Sequence, residues 1–193
     1  MFEVELKYRI NGNDSDIIKI LNNKTEGIIE VYEDVYFTHP EVIPLQSNKE
    51  LRVRRINSDT KNRSILTYKN EIIDEESGSK SEFEVLIDNS DNAIKLIKAM
   101  GFIVEIAFSK KCINWLLTNV FNGNDMLVSY VKVSEINGTF LEIEITINNS
   151  DEVESALNAV KEFSRQLGLK DDDIEKGLYT DAVRTYRKNA EKN

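Results

Sequence analysis

Charged residues occupy alternate positions along several short segments of this chain, and the residues between them are mostly apolar. These alternating charges are Glu3, Glu5, Lys7 and Arg9, then Arg52 and Arg54, then Lys80, Glu82 and Glu84, and finally Glu142 and Glu144. Arginine forks and lysine ammonium groups bind phosphate oxygens, whereas Mg²⁺ and Mn²⁺ prefer carboxylate oxygens. The two signs of charge together suit a triphosphate bound with a divalent metal ion.

The charged faces of these segments admit two interpretations. In the simpler one, the charged faces meet water, as in many antiparallel sheets, and the protein is a structural or interaction domain. In the second, the sheet closes into a barrel with the charges inside, while helices cover the apolar outer face. A charged barrel interior in the structure distinguishes the second interpretation from the first.

The elements that carry these residues follow from hydrophobic periodicity, which predicts eight strands and four helices. The strands are expected at 2–10, 28–37, 50–56, 63–70, 80–88, 103–116, 126–133 and 139–147, and the helices at 13–23, 91–100, 150–167 and 171–187. Short connections favour antiparallel neighbours. The predicted fold is therefore α+β: an eight-stranded antiparallel β-barrel with helices packed on its outside, formed by one domain over residues 1–193.

Composition limits the class of partner. The chain has 34 acidic and 25 basic residues, for a formal net charge of -9, which argues against general adhesion to nucleic acid or to an anionic membrane. Cys112 is the only cysteine, so an internal disulfide is excluded, and this is typical of a cytoplasmic protein. The N-terminus has neither the apolar stretch of a signal peptide nor that of a membrane span. We expect a small-molecule triphosphate as partner, and the sequence leaves a homodimer open.

Six segments, in their order along the chain, resemble the CYTH family of triphosphate tunnel metalloenzymes, in particular its class IV adenylyl cyclase branch. The opening Glu3-Val4-Glu5-Leu6-Lys7 is similar to the family's E-x-E-x-K signature. The other matching segments are Asp34-Val35-Tyr36-Phe37-Thr38-His39-Pro40, Leu51-Arg52-Val53-Arg54-Arg55, Leu66-Thr67-Tyr68-Lys69, Glu82-Phe83-Glu84 and Gly138-Thr139-Phe140-Leu141-Glu142-Ile143-Glu144.

The resemblance implies a set of site residues and a reaction class. Glu3, Glu5, Glu82, Glu84, Glu142 and Glu144 become the candidates for binding Mg²⁺ or Mn²⁺, and Lys7, Arg9, Arg52, Arg54, Lys69 and Lys110 the candidates for binding the triphosphate. Lys7 is also the candidate catalytic residue, which would orient or activate the attacking group. The implied reaction is cyclisation of ATP to cyclic AMP and pyrophosphate, or hydrolysis of tripolyphosphate or thiamine triphosphate. The alternative is a non-catalytic module that binds triphosphate or polyphosphate.

Two segments depart from the family pattern. Cys112 stands where the family has an arginine, and we expect its thiol to be packed in a wall rather than catalytic. The family's L-D-x-V segment falls at about 129–133, where this chain has no carboxylate. Lys111 or Lys132 is expected to supply part of the missing charge. These departures make triphosphate binding a firmer expectation than catalysis.

Overall fold

A computed structural model describes residues 1–45, 47–74 and 79–192, with the backbone alone at 73 and 74, and in it eight strands close into one barrel. The strands are β1 (Phe2–Ile10), β2 (Ile28–Thr38), β3 (Glu50–Ser58), β4 (Arg63–Asp74), β5 (Ser79–Ile87), β6 (Ile103–Phe121), β7 (Asn124–Val133) and β8 (Thr139–Ile147). Their order around the barrel is β1-β5-β4-β3-β2-β6-β7-β8, and each neighbouring pair is antiparallel. The predicted fold class is confirmed.

Strand β1 shows how the alternating sequence positions the charges. Val4, Leu6 and Tyr8 belong to a buried apolar cluster on the outside of the barrel. Successive side chains of a strand point to opposite faces, so burying these three turns Glu3, Glu5 and Lys7 to the interior. A slip of one residue in register would reverse both faces, and the large outer cluster opposes such a slip.

Among residues 1–45, 47–74 and 79–192, four α-helices accompany the barrel: α1 (Asp14–Asn22), α2 (Ser90–Ala99), α3 (Val153–Gln166) and α4 (Tyr179–Ala190). Helix α3 packs on β1 and β8, and α2 packs on β3 and β4. Gly101 and Gly168 follow α2 and α3 with positive φ angles of 95° and 81°, a conformation that ends a helix at little cost for glycine. Within the described part of the chain, no helix combines the length and apolar character needed to cross a bilayer.

The last helix begins later than predicted. The sequence predicted one helix over 171–187, but a single 3-10 turn covers Asp171–Asp173 and α4 starts only at Tyr179. Between them, Ile174 forms a bridge with Tyr8 of β1, and the Glu175 amide donates to the Lys7 carbonyl at 2.7 Å. This pairing with the barrel competes with helical hydrogen bonds, so tertiary contact overrides local helix preference there.

A second apolar cluster shares the inward strand faces with the charged residues. On β6, Phe108 and Cys112 flank the inward-facing Lys110, and they pack with Tyr179 and Val183 from α4. Helix α4 therefore seats its first turns against residues of the barrel interior. The result is an interior divided between a charged part and an apolar part.

Candidate active site

The charged part of the barrel interior encloses a cavity of about 670 Å³. Every residue predicted for the site lines this cavity except Arg9: Glu3, Glu5, Glu82, Glu84, Glu142, Glu144, Lys7, Arg52, Arg54, Lys69 and Lys110. Its size lies within the range of about 300–1,000 Å³ usual for small-molecule sites. The structure thus favours the interpretation with inward charges over the one in which these faces meet water.

Arg9 lies apart from the others. Its guanidinium pairs with the Glu175 carboxylate at 3.1 Å and donates to the Asn137 carbonyl at 3.1 Å. It also lies over the ring of Phe140, 4.7 Å from the ring centroid. These contacts hold the Arg9 side chain against Glu175, Asn137 and Phe140, so Arg9 touches a residue of the cavity wall but does not line the cavity itself.

Three carboxylates come close enough to share a metal ion. One oxygen from each of Glu3, Glu5 and Glu144 lies within 4.8 Å of the others. The strand register explains the grouping, because Glu5 of β1 stands directly opposite Glu144 of β8. Three hard oxygen donors in one corner of a cavity fit the ligand preference of Mg²⁺ or Mn²⁺.

Burial and mutual repulsion shift these carboxyls strongly. Burial raises the pKa of Glu144 to about 8, and the neighbouring Glu3 carboxylate adds to the rise. Burial, with Glu142 and Glu3 nearby, also raises the pKa of Glu5 well above its usual range. Burial alone would raise the pKa of Glu3, but the Lys69 ammonium brings it below its usual range. A divalent cation would relieve the repulsion that these shifts express.

The remaining predicted metal candidates on β5 have cationic neighbours. Glu82 lies 3.6 Å from the Lys69 ammonium, and burial together with Glu3 raises the pKa of Glu82 to about 10. Glu84 accepts a hydrogen bond from the Thr67 hydroxyl at 2.7 Å and lies 3.9 Å from Arg52. Both carboxyls therefore lie where the carboxylate and cation parts of the cavity meet.

Arg54 of β3 is held in place by a buried carboxylate. Asp34 accepts two hydrogen bonds from Arg54, at 2.6 and 2.8 Å, and lies 3.9 Å from the Lys110 ammonium. Arg52 is only 7% exposed, and its buried Nε finds no hydrogen-bond partner among the described residues. An unpaired buried donor in a cavity wall is where an anion oxygen would bind.

Two lysines meet at the ring of Tyr179. The Nζ atoms of Lys7 and Lys110 lie 4.3 and 4.6 Å from its centroid. Lys7 also donates to the Gly177 carbonyl and stands opposite Glu142 in the strand register. Burial lowers the pKa of Lys7, although Glu142 opposes this shift. A lower ammonium pKa brings proton exchange at Nζ closer to neutral pH, as a residue that activates an attacking group requires.

The two departures from the family pattern turn out to be neighbours. Cys112 of β6 and Val131 of β7 are directly paired, and both are buried in the interior apolar cluster. Burial raises the pKa of the Cys112 thiol to about 12, so the thiol stays neutral, as expected of a packed wall residue. The expectation that Lys111 or Lys132 replaces the missing charge is wrong. Both lysines are exposed on the outer face, because each is one position out of phase with an inward residue.

Sequence reasoning missed two residues that organise the cation side. Asp34 belongs to one of the family segments, and its alternation with Tyr32 and Tyr36 on β2 is a usable signal that it shares their face. Tyr179 lies outside every predicted strand and within the helix predicted over 171–187. Its position beside Lys7 and Lys110 arises only from the packing of α4 on the barrel, which local sequence does not encode.

A closed antiparallel barrel with opposed carboxylates and cations inside defines a class of tunnel protein suited to a polyanion and a metal ion. The chain belongs to the CYTH domain family, whose model matches residues 1–179. The family match includes Tyr179, the first residue of α4.

Relatives and solved structures are similar to this chain over nearly its whole length. The Methanocaldococcus jannaschii protein named "Putative adenylate cyclase MJ0240" is 26% identical over 180 residues, covering 93% of this chain and 97% of that protein. The structure of the PH1819 protein of Pyrococcus horikoshii matches with a TM-score of 0.81 at 26% identity, over 95% of this chain and 98% of that one. The Hippeastrum protein HpAC1, for which a dominant triphosphatase activity is described, shares the fold with a TM-score of 0.62 at 14% identity, over 95% of each chain.

Proposed function

We propose that this protein is a divalent-metal-dependent enzyme that acts on a triphosphate held inside the barrel. The observation that carries the proposal is the shared cavity, which is lined both by the Glu3, Glu5 and Glu144 carboxylates and by a group of cations, one of which, Lys69, pairs with Glu3. On a solvated sheet face, Glu3 and Arg52 would each have more than the tenth of their surface exposed that they have here at most. Charges buried at such cost are usually paired, ligated or functional.

Each group has a distinct role in this proposal. Glu3, Glu5 and Glu144 would hold Mg²⁺ or Mn²⁺, with Glu82, Glu84 and Glu142 as further carboxylates around the cavity. A metal ion bound there would supply neutralisation of charge on phosphate oxygens. Arg52, Arg54, Lys69 and Lys110 would bind and orient the phosphates, and Asp34 fixes the Arg54 fork in one orientation.

Lys7 is the residue we assign to catalysis. It is half-buried, stands opposite Glu142 in the strand register, and lies on the same strand as Glu3 and Glu5, two positions from Glu5. It would orient the attacking oxygen and take up or release its proton. Water as the attacking group gives hydrolysis, whereas the ribose 3′-oxygen of ATP gives cyclic AMP and pyrophosphate. The name of the M. jannaschii relative favours the cyclase.

A second function, a binding module without turnover, is favoured by one specific observation. The barrel wall beside Lys110 is apolar at Cys112 and Val131. The family pattern has charged side chains at this part of the wall, and this chain lacks them. Such a module would bind tripolyphosphate with metal assistance but release no product.

The test compares phosphate release and cyclic nucleotide formation from ATP, tripolyphosphate and thiamine triphosphate, each with Mg²⁺ or Mn²⁺. The Glu5→Gln variant keeps the side-chain volume and removes one carboxylate, and should lower kcat/KM by about a hundredfold or more. Glu154→Gln, an exposed change on α3, is the matched control and should leave activity unchanged.

The outcomes separate the functions. Turnover in the wild type that is lost in Glu5→Gln and kept in Glu154→Gln supports the enzyme, and the product identifies the reaction. Absence of turnover with a tripolyphosphate-dependent rise in melting temperature supports the binding module. Absence of both effects would overturn the proposal that the cavity binds triphosphates.

A further inference from the structure

Tyr179 is the one aromatic ring that brings two cavity cations together among the described residues. The Lys7 ammonium from β1 and the Lys110 ammonium from β6 lie 4.3 and 4.6 Å from its centroid. The ring itself is 9% exposed and stands edge-on to Phe140, with centroids 5.2 Å apart. Attraction between a cation and an aromatic face acts within about 6 Å, so both lysines are within its range.

The position of Tyr179 is tied to the strand that carries Lys7. In the preceding segment, Ile174 bridges Tyr8, the Glu175 amide donates to the Lys7 carbonyl at 2.7 Å, and the Gly177 carbonyl accepts from the Lys7 ammonium. These contacts fasten the residues before α4 along β1. The position of the ring is therefore fixed by contacts between the preceding segment and β1.

An aromatic ring can hold two neighbouring ammonium groups together without neutralising their charge. Like charges repel, and in a site of low dielectric the repulsion between Lys7 and Lys110 is stronger than in water. A carboxylate at this point would hold both lysines but would neutralise the charge that attracts phosphate. A ring holds them and leaves their charge available to an anion. The hydroxyl of Tyr179 is buried beside Glu142, whereas both ammonium groups lie over the ring.

We propose that Tyr179 is a positioning residue that gathers Lys7 and Lys110 onto one phosphate of the substrate through its ring face. This rests on the proposed function, since it assumes that a triphosphate binds in the cavity. It adds a determinant of phosphate affinity that none of the charged residues supplies alone. The hydroxyl is dispensable in this role, whereas the electron density of the ring is essential.

The test replaces the ring without changing its shape. Tyr179→Phe keeps a ring of normal electron density, and trifluorophenylalanine at the same position keeps the shape while weakening its attraction for cations. Binding of tripolyphosphate is measured by titration calorimetry in EDTA, so that metal binding does not contribute. We expect Tyr179→Phe to bind within about twofold of wild type, and the fluorinated ring to lose about tenfold in affinity.

Two further variants separate positioning from packing. Tyr186→Leu removes an exposed ring from the same helix and should bind as the wild type does. In a Lys110→Met background, the loss caused by fluorination should shrink to about half or less on a logarithmic scale, because one of its two cations is gone. A purely structural ring would give the same loss in both backgrounds.

The failures of the two proposals are distinguishable. If wild type binds no tripolyphosphate, with or without Mn²⁺, the proposed function fails and the role of Tyr179 fails with it. If wild type binds but the fluorinated protein binds equally well, the function stands and the positioning role is overturned. A loss of tenfold in Tyr179→Phe itself would also overturn it, because the hydroxyl would then be the active group.

Discussion

The pair formed by Asp34 and Arg54 gives the sharpest stability prediction. The Asp34 side chain has no exposed area, and its two oxygens accept from Arg54 at 2.6 and 2.8 Å. Asp34→Asn keeps the size but removes the charge, leaving the Arg54 guanidinium, 14% exposed, without its counterion beside Lys110. Removing one partner of a buried pair costs about 3–5 kcal/mol, which for a domain of this size lowers the melting temperature by about 10 °C.

The pH dependence of this loss has a definite sign. Burial alone would raise the pKa of Asp34, but Arg54 brings it below its usual range. A folded-state pKa below the unfolded value of about 3.9 means that Asp34 contributes its stability above that pH and loses it as the pH falls. The difference between wild type and Asp34→Asn should therefore be complete at pH 7 and shrink below about pH 4.

Urea unfolding, followed by the fluorescence of the buried Trp115, measures this difference directly. The control is Glu33→Gln, the adjacent residue on the outer face, whose pair with Arg55 at 3.7 Å is exposed and should be worth below about 1 kcal/mol. Equal losses in the two variants, or a loss below about 1 kcal/mol in Asp34→Asn, would refute the reasoning from burial.

Three further predictions concern the thiol, the metal site and a close contact. Burial raises the pKa of Cys112 to about 12, so its reaction with a thiol reagent at about pH 8 should be about a thousandfold slower in the native protein than in urea; comparable rates would contradict this. Burial raises the pKa of Glu144 to about 8, so the protonated carboxyl that favours the folded state loses its proton as the pH rises through that value. Because Mn²⁺ competes with this proton for the carboxylate, Mn²⁺ should raise the melting temperature more at about pH 8.5 than at about pH 5.5. Equal shifts at the two pH values would contradict this competition. Gly27→Ala would place a Cβ 2.6 Å from Trp115 Nε1 and 2.8 Å from Ile113 Cγ2, and should cost about 1–3 kcal/mol in urea unfolding; an unchanged midpoint would show that the indole can move aside.

The strands could be predicted from sequence because their alternation is physical and strict. Apolar Val4, Leu6 and Tyr8 had to share one face, so the charges between them had to share the other. The alternation does not determine whether that charged face points to solvent or into a barrel interior. Closure follows from pairing between distant strands, such as β1 with β5, which local pattern does not determine.

The errors have physical causes of the same kind. Lys111 and Lys132 were expected to act inside, but alternation next to an inward Lys110 or Val131 sends each of them outward once the register is known. The helix predicted over 171–187 begins only at Tyr179, because the residues before it pair with β1. Both errors arise where long-range pairing decides what short-range preference leaves open.

Diffraction from crystals grown with Mn²⁺ and tripolyphosphate tests the central claim most directly. The proposal predicts an anomalous manganese peak bounded by oxygens of Glu3, Glu5 and Glu144, with the triphosphate extending toward Arg52 and Arg54. Manganese and triphosphate bound only on the outer surface of the barrel, or a cavity that stays without both at saturating concentrations, would contradict it.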